Sequence, residues 1–205
     1  MQAMRPTRFA LASAWTPTLL STLLATLPAA AAAAPVNYSL DPTHSFVHFE
    51  VLHFDTATLR GRFGPLQGEV VLDTAARRGR VQLSIDTAAV STGLPVLDAR
   101  LKQPDLLDVD GHPLAYFVAE GFDFDERGAV KSVRGEFTLR GIGQPITLTA
   151  QRFRCYTSPL LRREVCGGDF DGQFLRSSVG ATFGQPFVAD VVRLRVQVEA
   201  IRQSP

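Results

Sequence analysis

The stretch SFVHFEVLHF, residues 45–54, places Val47, Phe49, Val51 and His53 on one side of an extended chain. Phe46, His48, Glu50 and Leu52 fall on the other. The same period of two continues outward from it. TLRGRF (58–63) sets Leu59, Gly61 and Phe63 against Arg60 and Arg62, and LQGEVVLD (66–73) sets Leu66, Gly68, Val70 and Leu72 against Gln67, Glu69 and Asp73. RVQLSID (80–86) opposes Val81, Leu83 and Ile85 to Gln82, Ser84 and Asp86. Further on, VRGEFTLRG (133–141), PITLTAQRF (145–153), DFDGQFLR (169–176) and VVRLRVQVEA (191–200) read as strands, with turns at Arg78-Gly79 and Arg127-Gly128. LAYFVAEGF (114–122) is apolar on both faces, which predicts a strand covered on both sides. A homodimer is the expected source of that cover.

Eight or nine strands without a linker or repeat predict one all-β domain, a sandwich or an up-and-down barrel. Gly61, Gly68 and Gly135 on apolar faces favour the barrel. They relieve curvature there, with or without a lumen beside them. Eight strands enclose space for one small ligand. The one break in strand periodicity is Gly93–Pro113, where Leu94, Leu97 and Leu101 recur at helical spacing until Pro104. This predicts a short helical lid with those leucines inward.

Residues 1–34 read as a secretory signal peptide: Arg5 and Arg8, a mostly apolar run through Leu19–Leu27, then Ala29–Ala34 as cleavage sites. Residues 35–205 are then the single mature domain, exported to the periplasm, with no stable membrane span. Of 21 basic residues, removal of Arg5 and Arg8 leaves 19 against 20 acids. So even a balance offers no electrostatic footprint for nucleic acid. In an oxidising compartment Cys155 and Cys166, the only cysteines, are expected to pair as a structural disulfide.

Catalytic and metal chemistry find little support. His48 and His53 point to opposite faces, while His44 and His48 lie about 13 Å apart in a strand, too far to share one ion. No serine stands in a G-x-S-x-G elbow. Asp98, Asp105, Asp108 and Asp110 read as caps and turns. Arg60 and Arg62 face outward, toward partners such as Glu69. Two groups are placed to meet a polar ligand headgroup: His53 at its strand end, and Arg100 on the lid, whose planar fork suits phosphate.

Taken together, DPTHSFVHFEVLHF, LRGRF, SIDTAAVSTGLPVLDARLKQPDLLDVDGHPLAYF, VRGEFTLRGIGQPITL, FLRSSVG and VQVEA resemble the YceI family of exported bacterial proteins, over Tyr38–Ile201. The resemblance implies an eight-stranded antiparallel lipocalin-like barrel with one helical insertion. It also implies a long isoprenoid in the lumen, either a polyprenyl phosphate or the tail of a ubiquinone-type lipid. It brings no enzymatic reaction and no other cofactor. The chain departs from the family pattern at Leu106-Leu107, His112, Leu175 and Val179, and the cysteine loop with Arg162 and Arg163 belongs to some members alone. The expected ligand-binding residues are Val47, Phe49, Val51, His53, Phe63, Val70, Leu83, Ile85, Leu97, Arg100, Leu101, Phe117, Phe137, Leu148 and Val196. The competing readings are an enzyme acting on an isoprenoid or quinone through His53 and an insertion aspartate, and a stress-related structural or interaction domain with a filled core.

Overall fold

The structure, a computed structural model, describes residues 34–204. The expected signal peptide, up to residue 33, lies outside the described residues. Ten strands appear: β1 (Val36–Leu40), β2 (Phe46–His53), β3 (Ala57–Phe63), β4 (Gln67–Asp73), β5 (Arg78–Asp86), β6 (Leu114–Phe124), β7 (Val130–Leu139), β8 (Ile142–Thr157), β9 (Glu164–Leu175) and β10 (Val188–Arg202). Between β5 and β6 lie a 3-10 turn, Thr87–Ala89, and one helix, α1 (Pro95–Leu101).

The strands β1-β4-β5-β6-β7-β8-β9-β10 form a closed antiparallel ring of eight, sealed where β1 meets β10. The count of ten arises because two staves of the barrel are broken. β10 pairs with β1 through Ala200–Arg202 and with β2 through residues 188–197, so β1 and β2 lie end to end along it. β3 and β4 are divided in the same way, at the cis peptide bond Gly64–Pro65. Fully buried Ser45 holds the first break: its hydroxyl donates to the Glu199 carbonyl (3.1 Å) and accepts from the Glu199 amide (3.2 Å). The open side of β3 is met by Ser91, which exchanges two backbone hydrogen bonds with Arg62. Both breaks leave a backbone polar group that needs such a partner.

Alternation of burial follows the alternation of apolar residues. In β2, Val47, Phe49 and Val51 are buried between less buried neighbours, and β5 and β10 repeat the pattern. β6 differs from its expected two-sided cover. Ala115, Phe117 and Ala119 are buried, whereas Leu114, Tyr116 and Val118 stand 40–44% exposed on the outer face. Gly79, expected in a turn, belongs to β5 and lies beneath the Phe122 ring. The glycines on apolar faces serve close approach rather than leaving a lumen beside them. A Cβ on Gly135 would meet the Val118 carbonyl at 2.3 Å, and one on Gly61 would meet the Phe49 ring at 2.4 Å.

β8 and β9 are longer than their periodicity suggested and carry the cysteines on directly opposed positions, so the segment between them is a hairpin with a short connection at 158–163. Cys155 and Cys166 form a disulfide, closing a hairpin of sequence separation 11. Converting both to serine is expected to lower stability by about 3 kcal/mol in the chain-entropy picture. Denaturant titration of the double variant reads this, and a change under about 1 kcal/mol would contradict the loop-closure account.

Candidate functional site

Inside the ring lies an apolar cavity of about 140 Å³. An engineered apolar void of similar size, about 150 Å³, stays dry and takes up benzene. Its walls come from every barrel strand but β1 and β4: Val47, Phe49 and Val51 of β2, Phe63 of β3, Leu83 and Ile85 of β5, Ala115 and Phe117 of β6, Phe137 and Leu139 of β7, Ile146 and Leu148 of β8, Phe174 of β9, and Val192, Leu194 and Val196 of β10. A second void of about 70 Å³ sits toward the β1 end, lined by Val70 and Phe170 among others. Leu83, Phe117, Leu148 and Val196 line both and form the partition between them.

One end of the barrel is capped by the insertion and by the segment after β9. Leu101, Leu106 and Leu107 reach the cavity from the first, and Arg176, Ala181 from the second. Two arginines hold these caps. Arg140 donates through Nε to the Val179 carbonyl (2.9 Å) and through Nη1 to those of Pro104 (2.6 Å) and Leu106 (2.8 Å), tying one cap to the other. Arg176, 5% exposed, donates to the carbonyls of Ala189 (2.8 Å), Ala181 (2.6 Å), Phe183 (2.8 Å) and Val188 (2.7 Å). Burial lowers the basicity of its guanidinium, and the nearby Asp190 carboxylate opposes that. Asp98 fixes the start of α1 by accepting from the Thr92 amide and hydroxyl (2.7 and 2.6 Å).

Eleven of the residues expected to meet a ligand line the larger cavity: Val47, Phe49, Val51, Phe63, Leu83, Ile85, Leu101, Phe117, Phe137, Leu148 and Val196. Val70 lines the smaller one. Three do not line either. His53 is exposed because β2 runs past the cavity to pair with Val188 and Ala57, and its ring packs edge-on against Phe54. Leu97 stops short of the cavity, and Leu94 is 53% exposed, so of the three leucines Leu101 alone turns inward. Arg100 is committed elsewhere: its fork donates to both Asp105 oxygens (2.7 and 2.6 Å), and its face lies 3.7 Å from the Phe183 ring centroid. Asp105 is thus an ion-pair partner rather than a cap. Arg60 pairs with Glu50 at 3.0 Å, not with Glu69, and Arg62 lies over the Phe46 ring.

Several lining residues escaped the sequence reading. Leu139, Ile146, Val192 and Leu194 were findable, since parity already set them on apolar faces. Thr87, Val90 and Arg176 were not, because they sit outside strand periodicity. The two polar groups at the cavity wall have their hydrogen bonds taken by backbone. The Thr87 hydroxyl contacts the His112 and Pro113 carbonyls at 2.9 Å each, and Arg176 binds its four carbonyls. Such a wall offers an apolar guest dispersion and exclusion from water.

Near the β1–β2 break, Asp41, His44 and Glu199 bring carboxylate and imidazole atoms within 4.8 Å of one another. Asp41 accepts from His44 Nδ1 (2.7 Å) and from the Thr43 amide and hydroxyl, which locks the turn. The hydrogen bond to Asp41 raises His44 above its ordinary 6.5, against slight burial. Asp41 falls below its ordinary 3.8: burial works against this, and the hydrogen bonds from Thr43 and His44 outweigh it. The contact therefore stabilises the fold between about pH 4 and 6.5, fading as pH rises through the raised His44 value and as it falls through the lowered Asp41 value. NMR titration is expected to show His44 with a midpoint above 6.5 that drops in Asp41→Asn; an unchanged midpoint in that variant would dismiss the pairing.

The sequence profile of the YceI-like domain matches residues 38–200. A UPF0312 protein of Pseudomonas aeruginosa is 29% identical over 122 residues, 58% of this chain and 63% of that one. The chain thus spans about 63% of the length of this relative. BcnA of Burkholderia cenocepacia superposes with a TM-score of 0.65 at 20% identity, covering 78% of this chain and 98% of BcnA. A domain of Saccharophagus degradans described as polyisoprenoid binding, and implicated in plant cell wall breakdown, gives 0.59 at 19% identity, covering 82% and 99%.

Proposed function

The chain belongs to the YceI-like family, and we propose that it is a binding or carrier protein that holds the chain of a long isoprenoid lipid in its barrel. The observation that carries this is the cavity wall, apolar across nine elements and with both of its polar groups already hydrogen-bonded. The polyisoprenoid-binding description of the Saccharophagus domain supports the same class of ligand. A chain longer than one or two isoprene units passes the partition of Leu83, Phe117, Leu148 and Val196 and occupies both voids. Each buried methylene contributes about 0.8 kcal/mol, so affinity accrues along the chain without a strong headgroup contact. The headgroup, a phosphate or a quinone ring, stays at the capped end. Arg100, paired with Asp105, and His53 line neither void.

We propose further that residues 1–34 are removed on export and that the protein works in the periplasm, where the Cys155–Cys166 disulfide persists. Among the described residues no helix is long and apolar enough to cross a membrane. For quaternary structure we propose a homodimer through the outer face of β6, where Leu114, Tyr116 and Val118 are exposed in an alternating row. Velocity sedimentation is expected to give a dimer that Val118→Lys converts to monomer.

The deciding experiment is organic extraction of protein purified from its native compartment, followed by mass spectrometry. A stoichiometric prenyl lipid is expected. Repeated gentle preparations that yield none would overturn the carrier reading. The mass of the protein itself then reports the N terminus.

A further inference from the structure

The capped end of the barrel is apolar on its outside as well as its inside. The β2–β3 turn, the end of β9, the start of β10, the β7–β8 turn and the insertion all meet there, as the strand registers require: His53 opposes Val188, Leu175 opposes Val191, Leu139 opposes Ile142 and Asp86 opposes Leu114. At this end Phe54 is 55% exposed, Phe183 51%, Phe187 59% and Val96 of α1 71%. Two contacts order this rim. The Phe54 and Phe187 rings stack at 5.1 Å, the Phe54 amide donates to the Phe187 carbonyl (2.7 Å), and Phe183 carries the Arg100 guanidinium of α1 on its face. Exposed aromatic side chains this concentrated mark an interaction surface.

We propose that this rim is a bilayer-docking surface, through which the protein meets the headgroup–acyl boundary when cargo enters or leaves. The inference rests on the carrier reading, and it names the partner. An isoprenoid chain has no favourable path through water, and the rim surrounds the cap residues Leu101, Leu106 and Ala181 that close the cavity. Aromatic and aliphatic side chains on an otherwise polar frame seat in that boundary region. Charge decides which bilayer. Of the basic groups here, Arg100 is paired with Asp105, Arg140 and Arg176 are committed to backbone carbonyls, and Lys102 of the insertion is a single half-buried ammonium. Asp55, Asp98 and Asp110 stand nearby in the turns and insertion. The surface is therefore matched to zwitterionic lipid and docks without anionic headgroups.

Flotation with phosphatidylcholine vesicles tests this, using protein isolated from its native compartment so that every variant shares one N terminus. Wild type is expected to float with the vesicles, and neither added salt nor admixed phosphatidylglycerol is expected to strengthen binding. Phe54→Ser combined with Phe187→Ser should weaken partitioning by about tenfold or more, and Val96→Asp on the helix should do likewise. Leu160→Ser, in the β8–β9 hairpin at the opposite end, should leave it unchanged. These rim side chains do not line the cavity, so extracted prenyl lipid should stay stoichiometric in all of them while its transfer from donor vesicles slows. The proposal is overturned if wild type does not float, if it floats with anionic vesicles alone, or if Leu160→Ser weakens binding and the rim variants do not. It is equally overturned if the rim variants convert a dimer to monomer without changing flotation. Prenyl lipid without flotation removes the docking surface alone, whereas flotation without prenyl lipid removes the carrier reading alone.

Discussion

Replacing Arg176 with Met is expected to destabilise the barrel by about 3–5 kcal/mol, the largest loss from any single substitution considered. The side chain is 5% exposed and supplies four hydrogen bonds to the carbonyls of Ala181, Phe183, Val188 and Ala189. A Met of similar length fills the space but donates nothing. Each buried carbonyl left without a donor costs about 1–3 kcal/mol, and relief from burying a charge returns part of the sum. Lys keeps the charge, yet a compact ammonium cannot spread donors over four carbonyls as a planar fork does. Arg176→Lys should therefore fall between wild type and Met. Urea denaturation at constant slope reads the loss, and a shift worth less than about 1 kcal/mol would refute the clamp. Limited proteolysis should also cut the 181–187 segment faster in Arg176→Met.

Ala115→Phe is expected to empty the barrel. Ala115 is 2% exposed, lies on the cavity wall and opposes Ile85 across β5–β6. A phenyl ring at this position takes up most of a void of about 140 Å³. The guest loses the burial of roughly five methylene equivalents, on the order of 4 kcal/mol or about a thousandfold in affinity. The empty protein changes by about 1–3 kcal/mol at most, because the new side chain enters existing space. Its neighbour supplies the control: Tyr116→Phe on the outer face should leave cargo unchanged. Prenyl lipid persisting at wild-type stoichiometry in Ala115→Phe would place the ligand elsewhere on the molecule.

The residues of the cavity wall fall on two kinds of position, and these differ in how legible they are in the sequence. Ala115, Leu139, Ile146 and Leu194 belong to strands, where facing is a local property set by side-chain alternation. Arg176 and Thr87 lie in 3-10 turns after β9 and β5, where no period applies. Nothing in FLRSSVG shows that its arginine is buried, because the carbonyls that surround it come from a segment up to thirteen residues away. His53 shows the limit of parity itself. It shares the parity of Val51, but β2 extends beyond the cavity, and position along a barrel axis depends on register with β10 and β3. The pairing of Arg100 was hidden for a similar reason, since the fork meets Asp105 five residues on through the fold of the insertion.

The amino-acid sequence by itself determined an all-β domain, the inward face of most strands, the single helical insertion and the pairing of Cys155 with Cys166. Each of these follows from spacing along the chain or from there being two cysteines to pair. The tertiary structure alone decided that the ring closes through β1 and β10, that Leu83, Phe117, Leu148 and Val196 divide the lumen, and that two arginines hold its cap. It also decided where the apolar surplus goes: outward on β6, and onto the rim around Phe54, Phe183 and Phe187. Those outcomes depend on which distant segments meet, and burial of an apolar or charged side chain is settled by what covers it rather than by its neighbours in sequence.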